Sequence, residues 1–239
     1  MNLSENKYLF FIIGAFLFFS CSKFKYDLKD NWVVQSYYSE IKVFDTNLDY
    51  SYAIITEIQN MKDWKQTKKN LDNNDIFGYS GEVYNYRYTF TDDRFSSYYN
   101  YQYSFEEYND STLETTITTK NIKIERHGLW DILKKSKHDN NRRLRFIIEE
   151  EEIVEVTAQH TINLNEVQEP EPILGCYNPN ISKFKYEDGG IAITYRIINQ
   201  TNNQIIIERN IDEFHVNKES SVPYVMSERG NEIINLKKI

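Results

Sequence analysis

The chain has 239 residues, with 28 Lys plus Arg against 36 Asp plus Glu, a formal net charge of −8 at pH 7. That acidity disfavours nucleic acid as the main partner, because phosphate binding needs a basic face, and 15% aromatic content, with 19 Tyr and 14 Phe, excludes a disordered chain. With only 8 Gly, 4 Pro and 2 Cys, a collagen, a low-complexity coil and a disulfide-rich scaffold are excluded as well.

The first predicted element is a targeting segment. Residues 8–19, YLFFIIGAFLFF, carry no charge. A membrane-spanning helix needs about 20 apolar residues, so this shorter run fits the apolar region of a secretory signal. Ser20, Cys21, Ser22 and Lys23 follow. Phe18-Phe19-Ser20-Cys21 resembles the lipobox of bacterial lipoproteins, with Phe18 where Leu is usual. The resemblance implies a signal peptide over 1–20, cleavage after Ser20, a diacylglycerol on the Cys21 sulfur and an acylated tether over 21–30. The alternative is an ordinary signal peptide or an uncleaved anchor, with Cys21 incidental. Acyl chains contribute about 0.8 kcal/mol per buried methylene, so the implied partner is a membrane, held without a transmembrane helix. The Asn-, Ile-, Lys- and Tyr-rich composition fits the Bacteroidota. With no Asp beside Cys21 and no early acidic cluster, the expected location is the outer membrane, facing the periplasm. Cys176 is then the only other thiol, and the fold must rest on its core without a disulfide.

After residue 30 the chain reads as strands. A first β-rich stretch, 32–44, contains Val33, Val34, Tyr37, Tyr38, Ile41 and Val43. Over 52–71 the spacing of Ile54, Ile58, Met61 and Trp64 predicts a helix, with a long loop or a pair of strands as the alternative. Then come two alternating rows, Tyr84, Tyr86, Tyr88 and Phe90 followed by Tyr99, Tyr101, Tyr103 and Phe105. A connection at 91–97 and a register pairing Phe90 with Tyr99 place both rows on one side of a hairpin. Further strands are predicted at 112–119, 122–125, 129–133 and 143–148, and along Val154, Val156, Ala158, His160, Ile162 and Leu164. Pro170, Pro172 and Pro179 mark an irregular loop over 166–180. Asp188-Gly189-Gly190 predicts a hairpin turn. Ile191, Ile193, Tyr195 and Ile197 alternate, 199–203 turns into 205–208, and a last strand runs through Ile233, Ile234 and Leu236. These elements define an all-β, mainly antiparallel single domain over 31–239, a barrel or a sandwich.

Three segments together resemble the lipocalin-like lipoproteins of Bacteroidota. Asp30-Asn31-Trp32-Val33-Val34 stands where such proteins open with a Gly-x-Trp motif, Asp30 replacing the Gly. Gly128-Leu129-Trp130-Asp131-Ile132, with the charged hairpin 134–143 and the strand 144–148, is similar to their mid-chain strand. The stretches 211–216 and 231–238 are similar to their closing hairpin. The resemblance implies one interior with Trp32 or Trp130 plugging an end, and it carries no catalytic residues.

The search for chemistry ends on the tyrosines. His127, His138, His160 and His215 have no metal-ligand spacing, and His160 reads as a hydrogen-bonded core or rim residue. Cys176 has no basic neighbour to activate it. The acidic run 149–152 reads as a solvated strand edge, the alternatives being Ca²⁺ binding or opposition to Arg142, Arg143 and Arg145. No phosphate loop or nucleophile elbow occurs, so no enzyme, cofactor or metal is expected. Asp110-Ser111-Thr112 matches a short O-glycosylation motif and reads equally as a turn. Tyr84, Tyr86, Tyr88, Tyr99, Tyr101 and Tyr103 are the candidate ligand residues, able to stack on sugar faces or line a pocket for a small apolar molecule; the alternative is plain sheet packing. The expected function is therefore ligand binding in the cell envelope. The alternative is a structural or accessory lipoprotein acting on another envelope protein. A cavity lined by these tyrosines favours the first, and a filled core with an exposed aromatic patch the second.

Overall fold

The computed structural model describes residues 28–45, 50–72, 75–133, 142–163, 179–187, 189–217 and 224–239. Every regular element among them is a strand: β1 (Asp30–Asp45), β2 (Tyr50–Gln59), β3 (Asp63–Asn70), β4 (Ile76–Phe90), β5 (Arg94–Asn109), β6 (Glu114–Leu133), β7 (Arg143–Asn163), β8 (Asn180–Lys185), β9 (Ile191–Gln200), β10 (Gln204–Asn217) and β11 (Tyr224–Lys238). They form one antiparallel sheet in the order β6-β5-β4-β3-β2-β1-β11-β10-β9-β7-β8, and β6 also pairs with β7. Ten strands thus close into a barrel-like ring, with β8 on the flank of β7. The signal segment, Cys21 and the tether up to 27, the stretch 134–141 with His138, and 164–178 with Cys176 lie outside the described residues, as does the His215 side chain.

The ring has two circumferences. At one end β1 pairs directly with β4, Asp30 opposite Phe90 and Val33 opposite Arg87. This narrow end closes with eight strands, because β2 and β3 are bypassed. Beyond it β1 and β4 separate and the β2–β3 hairpin fills the gap, Tyr37 pairing with Ile58 and Trp64 with Gly81. The hairpin brings the ring to ten strands in all, of which β9 pairs with β10 only over Ile205–Glu208 and with β7 only over Arg143–Ile148. An eight-stranded interior is just wide enough for side chains to fill, and diameter grows roughly linearly with strand number.

Two bulges open the fork. The register slips between Val34 and Ser36 on β1 and between Val83 and Asn85 on β4; an extra residue bends a strand and raises its twist. The β2–β3 turn sits between them. Met61 N–H donates to the Gln35 carbonyl at 3.2 Å, and Val83 N–H donates to the Lys62 carbonyl at 2.7 Å.

The structure differs from the sequence expectations at five places. Residues 52–71 are this hairpin and not a helix. Ile58 and Trp64 are cross-strand partners, both buried, while Met61 lies exposed at the turn, so their helix-like spacing comes from two inward residues flanking a turn. Tyr84 is the extra residue of the β4 bulge and points out, 53% exposed, while Val83 takes the inward place. Phe90 pairs with Phe95, and Tyr86 with Tyr99, because the turn is confined to 91–93. The predicted hairpin turn at 188–190, of which Asp188 lies outside the described residues, is not a hairpin: β8 and β9 lie end to end on the same edge of β7, Lys185 opposite Glu150 and Ile191 opposite Ile148. Gly190 has φ +77, and a Cβ there would approach the Ile148 carbonyl oxygen to 2.5 Å, so the glycine allows the kink between the two strands. The short strands predicted between 112 and 133 merge into β6, and those on either side of 149–152 merge into β7.

The main core fills the narrow end. Trp32, Val34, Phe90, Trp130, Leu144, Phe146, Ile207, Ile234 and Leu236 are buried in one cluster there. The two buried indoles keep their hydrogen bonds: Trp32 Nε1 donates to the Leu28 carbonyl at 2.9 Å, and Trp130 Nε1 to the Thr91 carbonyl at 3.2 Å.

Candidate functional site

The aromatic rows continue from the packed core into the wide half. Tyr88 is buried against Phe90 and Phe146, with ring centroids 6.1 and 5.7 Å away. Tyr86 stacks on Tyr99 at 4.3 Å, Tyr99 on Tyr101 at 4.6 Å, and Tyr101 and Tyr103 each on Trp64 at 5.0 Å. Tyr79 and Phe105 end the ladder near the rim. Pleat alternation explains it: β5 turns Phe95, Ser97, Tyr99, Tyr101 and Tyr103 to one face, and Trp64 covers the bare backbone of Gly81, which pairs with Tyr103. Tyr86, Tyr99, Tyr101 and Tyr103 are half-buried, unlike Tyr88.

Charged groups share this inner face. On β6, Arg126, Ile124, Ile122 and Lys120 lie opposite Ser97, Tyr99, Tyr101 and Tyr103. Arg126 forms an ion pair with Glu151 of β7, and Lys120 Nζ meets Glu155 at 2.7 Å. Across the barrel Arg209 Nε donates to Glu232 at 2.6 Å, and the Tyr195 hydroxyl donates to the same carboxylate oxygen at 2.8 Å. Glu232 is 7% exposed. Its burial is tolerable because a cation and a hydroxyl both meet it. The Tyr86 and Tyr88 hydroxyls lie 3.2 Å apart.

Burial keeps the phenols of the lining uncharged. Burial, reinforced by Tyr88, Tyr37 and Glu232, pushes the Tyr86 phenol well up. Burial and then Glu232 raise Tyr37 and Tyr195. Burial and then the neighbouring tyrosine raise Tyr99 and Tyr101. At Arg126 burial opposes the charge, yet Glu151 outweighs it and the guanidinium is held more firmly than usual. At neutral pH the site offers neutral hydroxyls, aromatic faces and the ion pairs Arg126–Glu151, Lys120–Glu155 and Arg209–Glu232, with Glu213 also 3.4 Å from Arg209.

Of the six tyrosines picked from the sequence, Tyr86, Tyr88, Tyr99, Tyr101 and Tyr103 come together, and Tyr84 stands outside. Trp32 and Trp130 are buried at the narrow end, away from this lining. The acidic run 149–152 is not a solvated edge: Glu151 faces inward to Arg126, while Glu150 and Glu152 meet Lys185 and Lys183 of β8 on the outer wall. Trp64, Arg126, Glu151, Arg209 and Glu232 were missed. For the charged ones the signal was a charge at the spacing of apolar inward positions, as in Arg126 before Gly128 and Trp130, Arg209 after Ile205 and Ile207, and Glu232 before Ile234 and Leu236. Among the described residues no group of three His, Cys, Asp or Glu side chains gathers to hold a metal ion. No protein-family model matches the chain, and no curated protein or solved structure matches it.

Proposed function

We propose that this is a non-enzymatic, lipid-anchored protein of the cell envelope whose wide half binds a small, uncharged, hydroxyl-rich ligand of the carbohydrate class. The observation that carries the reading is the lining itself: half-buried faces of Tyr99, Tyr101 and Tyr103 beside ion pairs that sum to no net charge. Flat rings take the C–H face of a sugar, and fixed polar groups exchange water for its hydroxyls. A wholly apolar ligand would strip water from Lys120–Glu155 and Arg126–Glu151 and return no hydrogen bond. Anchoring through Cys21 at the outer membrane, facing the periplasm, belongs to the same reading. It draws support from the lipobox-like segment, from the eight-stranded narrow end, the strand number of lipocalin barrels, and from an outer wall charged in the manner of a water-facing surface, with Lys123–Glu125, Lys183–Glu152 and Arg229–Asp212 upon it.

Trp64, stacked on Tyr101 and Tyr103, is the natural reporter. Titration with a panel of neutral oligosaccharides should give a saturable fluorescence change that Tyr101→Ala and Tyr103→Ala abolish. A response confined to apolar dyes, or one that survives both substitutions, would overturn the carbohydrate reading. Cys21→Ala should move the protein from the membrane fraction to the soluble one, and an unchanged distribution would remove the anchor. One observation favours protein contact as a second reading: Leu71, Ile76 and Phe77 flank the β3–β4 turn at 36%, 64% and 57% exposure. Phe77→Asp would then weaken capture of a partner while leaving sugar titrations unchanged.

A further inference from the structure

The chain enters the fold at the narrow end. Leu28 is 1% exposed, and its carbonyl accepts the Trp32 indole N–H at 2.9 Å, so Leu28 is fixed in the core of that end. Cys21 lies seven residues upstream, and a fully extended chain of that length spans at most about 25 Å. β6 and β7 run 20 and 21 residues. At roughly 3.3 Å per residue and a tilt near 40°, the wall rises about 50 Å along its axis. A tether of that length reaches the narrow end and falls well short of the wide one.

Charge is distributed in the same sense. The chain carries −8 overall. At the narrow end Lys29, Arg142, Arg143, Arg145, Lys237 and Lys238 outnumber the four aspartates there, Asp30, Asp92, Asp93 and Asp131. At the opposite rim the β5–β6 turn exposes Glu106, Glu107 and Asp110 with no Lys or Arg between 104 and 119, and on the neighbouring β3–β4 hairpin Lys68 and Lys69 are matched by Asp72 and Asp75. An anionic lipid surface attracts the first set and repels the second.

We infer that the narrow end rests on an anionic lipid surface and that the wide, tyrosine-lined end faces away from it. This orientation rests on acylation at Cys21. Ligand then approaches the tyrosine rows from the aqueous side, away from the bilayer.

The test uses the full acylated chain in a Cys176→Ser background, reconstituted into vesicles of phosphatidylcholine and phosphatidylglycerol with a spin-labelled headgroup lipid. A fluorophore is attached at Asn202→Cys, on the narrow-end turn 201–203, or at Asp110→Cys, on the wide-end turn. Both sites are exposed turns, so folding is spared. The expected result is several-fold quenching at 202 and none at 110. Equal quenching at both sites, or stronger quenching at 110, would overturn the orientation while leaving the anchor intact. Protein that floats with vesicles with neither label quenched would also overturn it. Protein that fails to float would remove both the orientation and the Cys21 reading on which it stands.

Discussion

The two halves of this barrel-like ring use the same residue types for different ends. In the narrow half eight strands hold Phe90, Phe146, Trp130 and aliphatic neighbours at 3% exposure or less for most, with every indole N–H satisfied. In the wide half the extra β2–β3 hairpin enlarges the ring, and tyrosines stand half-buried beside Arg126–Glu151 and Lys120–Glu155. Tyr88 belongs to the first half and Tyr101 to the second, although they lie in equivalent alternating rows. Circumference, set by whether β1 meets β4 or β2, decides whether an inward aromatic becomes filler or lining.

Alkaline pH should produce the largest effect. Burial raises the phenols of Tyr37, Tyr86, Tyr88 and Tyr195. An unfolded tyrosine ionises near pH 10. The native state therefore holds protons that the unfolded state releases, so the stability is fully present below about pH 10 and is lost as pH rises beyond it. The fold should persist to that point and then collapse cooperatively, with phenolate absorbance and the loss of circular dichroism rising together. Gradual phenolate formation in a native spectrum would mean that water reaches Tyr88 and Tyr195, the buried tyrosines of the main core, erasing the contrast between the halves.

Substitution sharpens the same contrast. Phe146→Ala removes a ring packed against Phe90, Phe95 and Tyr195 and should cost about 3–5 kcal/mol in chemical denaturation. Tyr103→Ala, near the rim, should cost roughly 1–2 kcal/mol and abolish ligand response. Equal costs would make the wide half a second core. Between them lies Glu232. Glu232→Ala strands the Arg209 guanidinium and the Tyr195 hydroxyl and should cost about 3 kcal/mol, whereas Glu232→Gln keeps an acceptor and should cost less than half of that. Identical losses would show that the carboxylate's charge, and not its hydrogen bonding, holds the junction of the two halves.

The narrow half was legible in the sequence because it obeys one rule. Leu144, Phe146 and Ile148, or Ile205 and Ile207, alternate without interruption, and the resulting strands and antiparallel class follow. The wide half depends on departures from that rule. The turn that launches β3 uses Asn60 and Met61 at φ 52 and 63, and neither residue is a Gly or Pro that would announce it. The bulges at Gln35 and Tyr84 change facing without changing composition. Gly189 and Gly190 look like a hairpin signal, yet they interrupt one long strand lying on β7. The inward charges sit where alternation forecasts apolar residues, and only the closure of the ring brings Arg209 to Glu232 and Arg126 to Glu151.

The smallest expected effect tests the bulge directly. Pattern alone groups Tyr84 with Tyr86 and Tyr88, and on that grouping Tyr84→Ser would be as harmful as loss of a neighbouring ring. The register slip between Val83 and Asn85 instead turns Tyr84 to solvent. Truncating an exposed ring that supports no core contact should change stability by no more than about 0.5 kcal/mol and leave sugar titrations unaltered. Val83→Ser, one residue earlier, empties a place 6% exposed in the cluster with Ile58 and Trp64. It also introduces a hydroxyl there, and should cost at least about 2 kcal/mol. Reversal of that order would mean that β4 runs straight through the fork, that Tyr84 lines the interior after all, and that the wide end is not opened by a bulge on this strand.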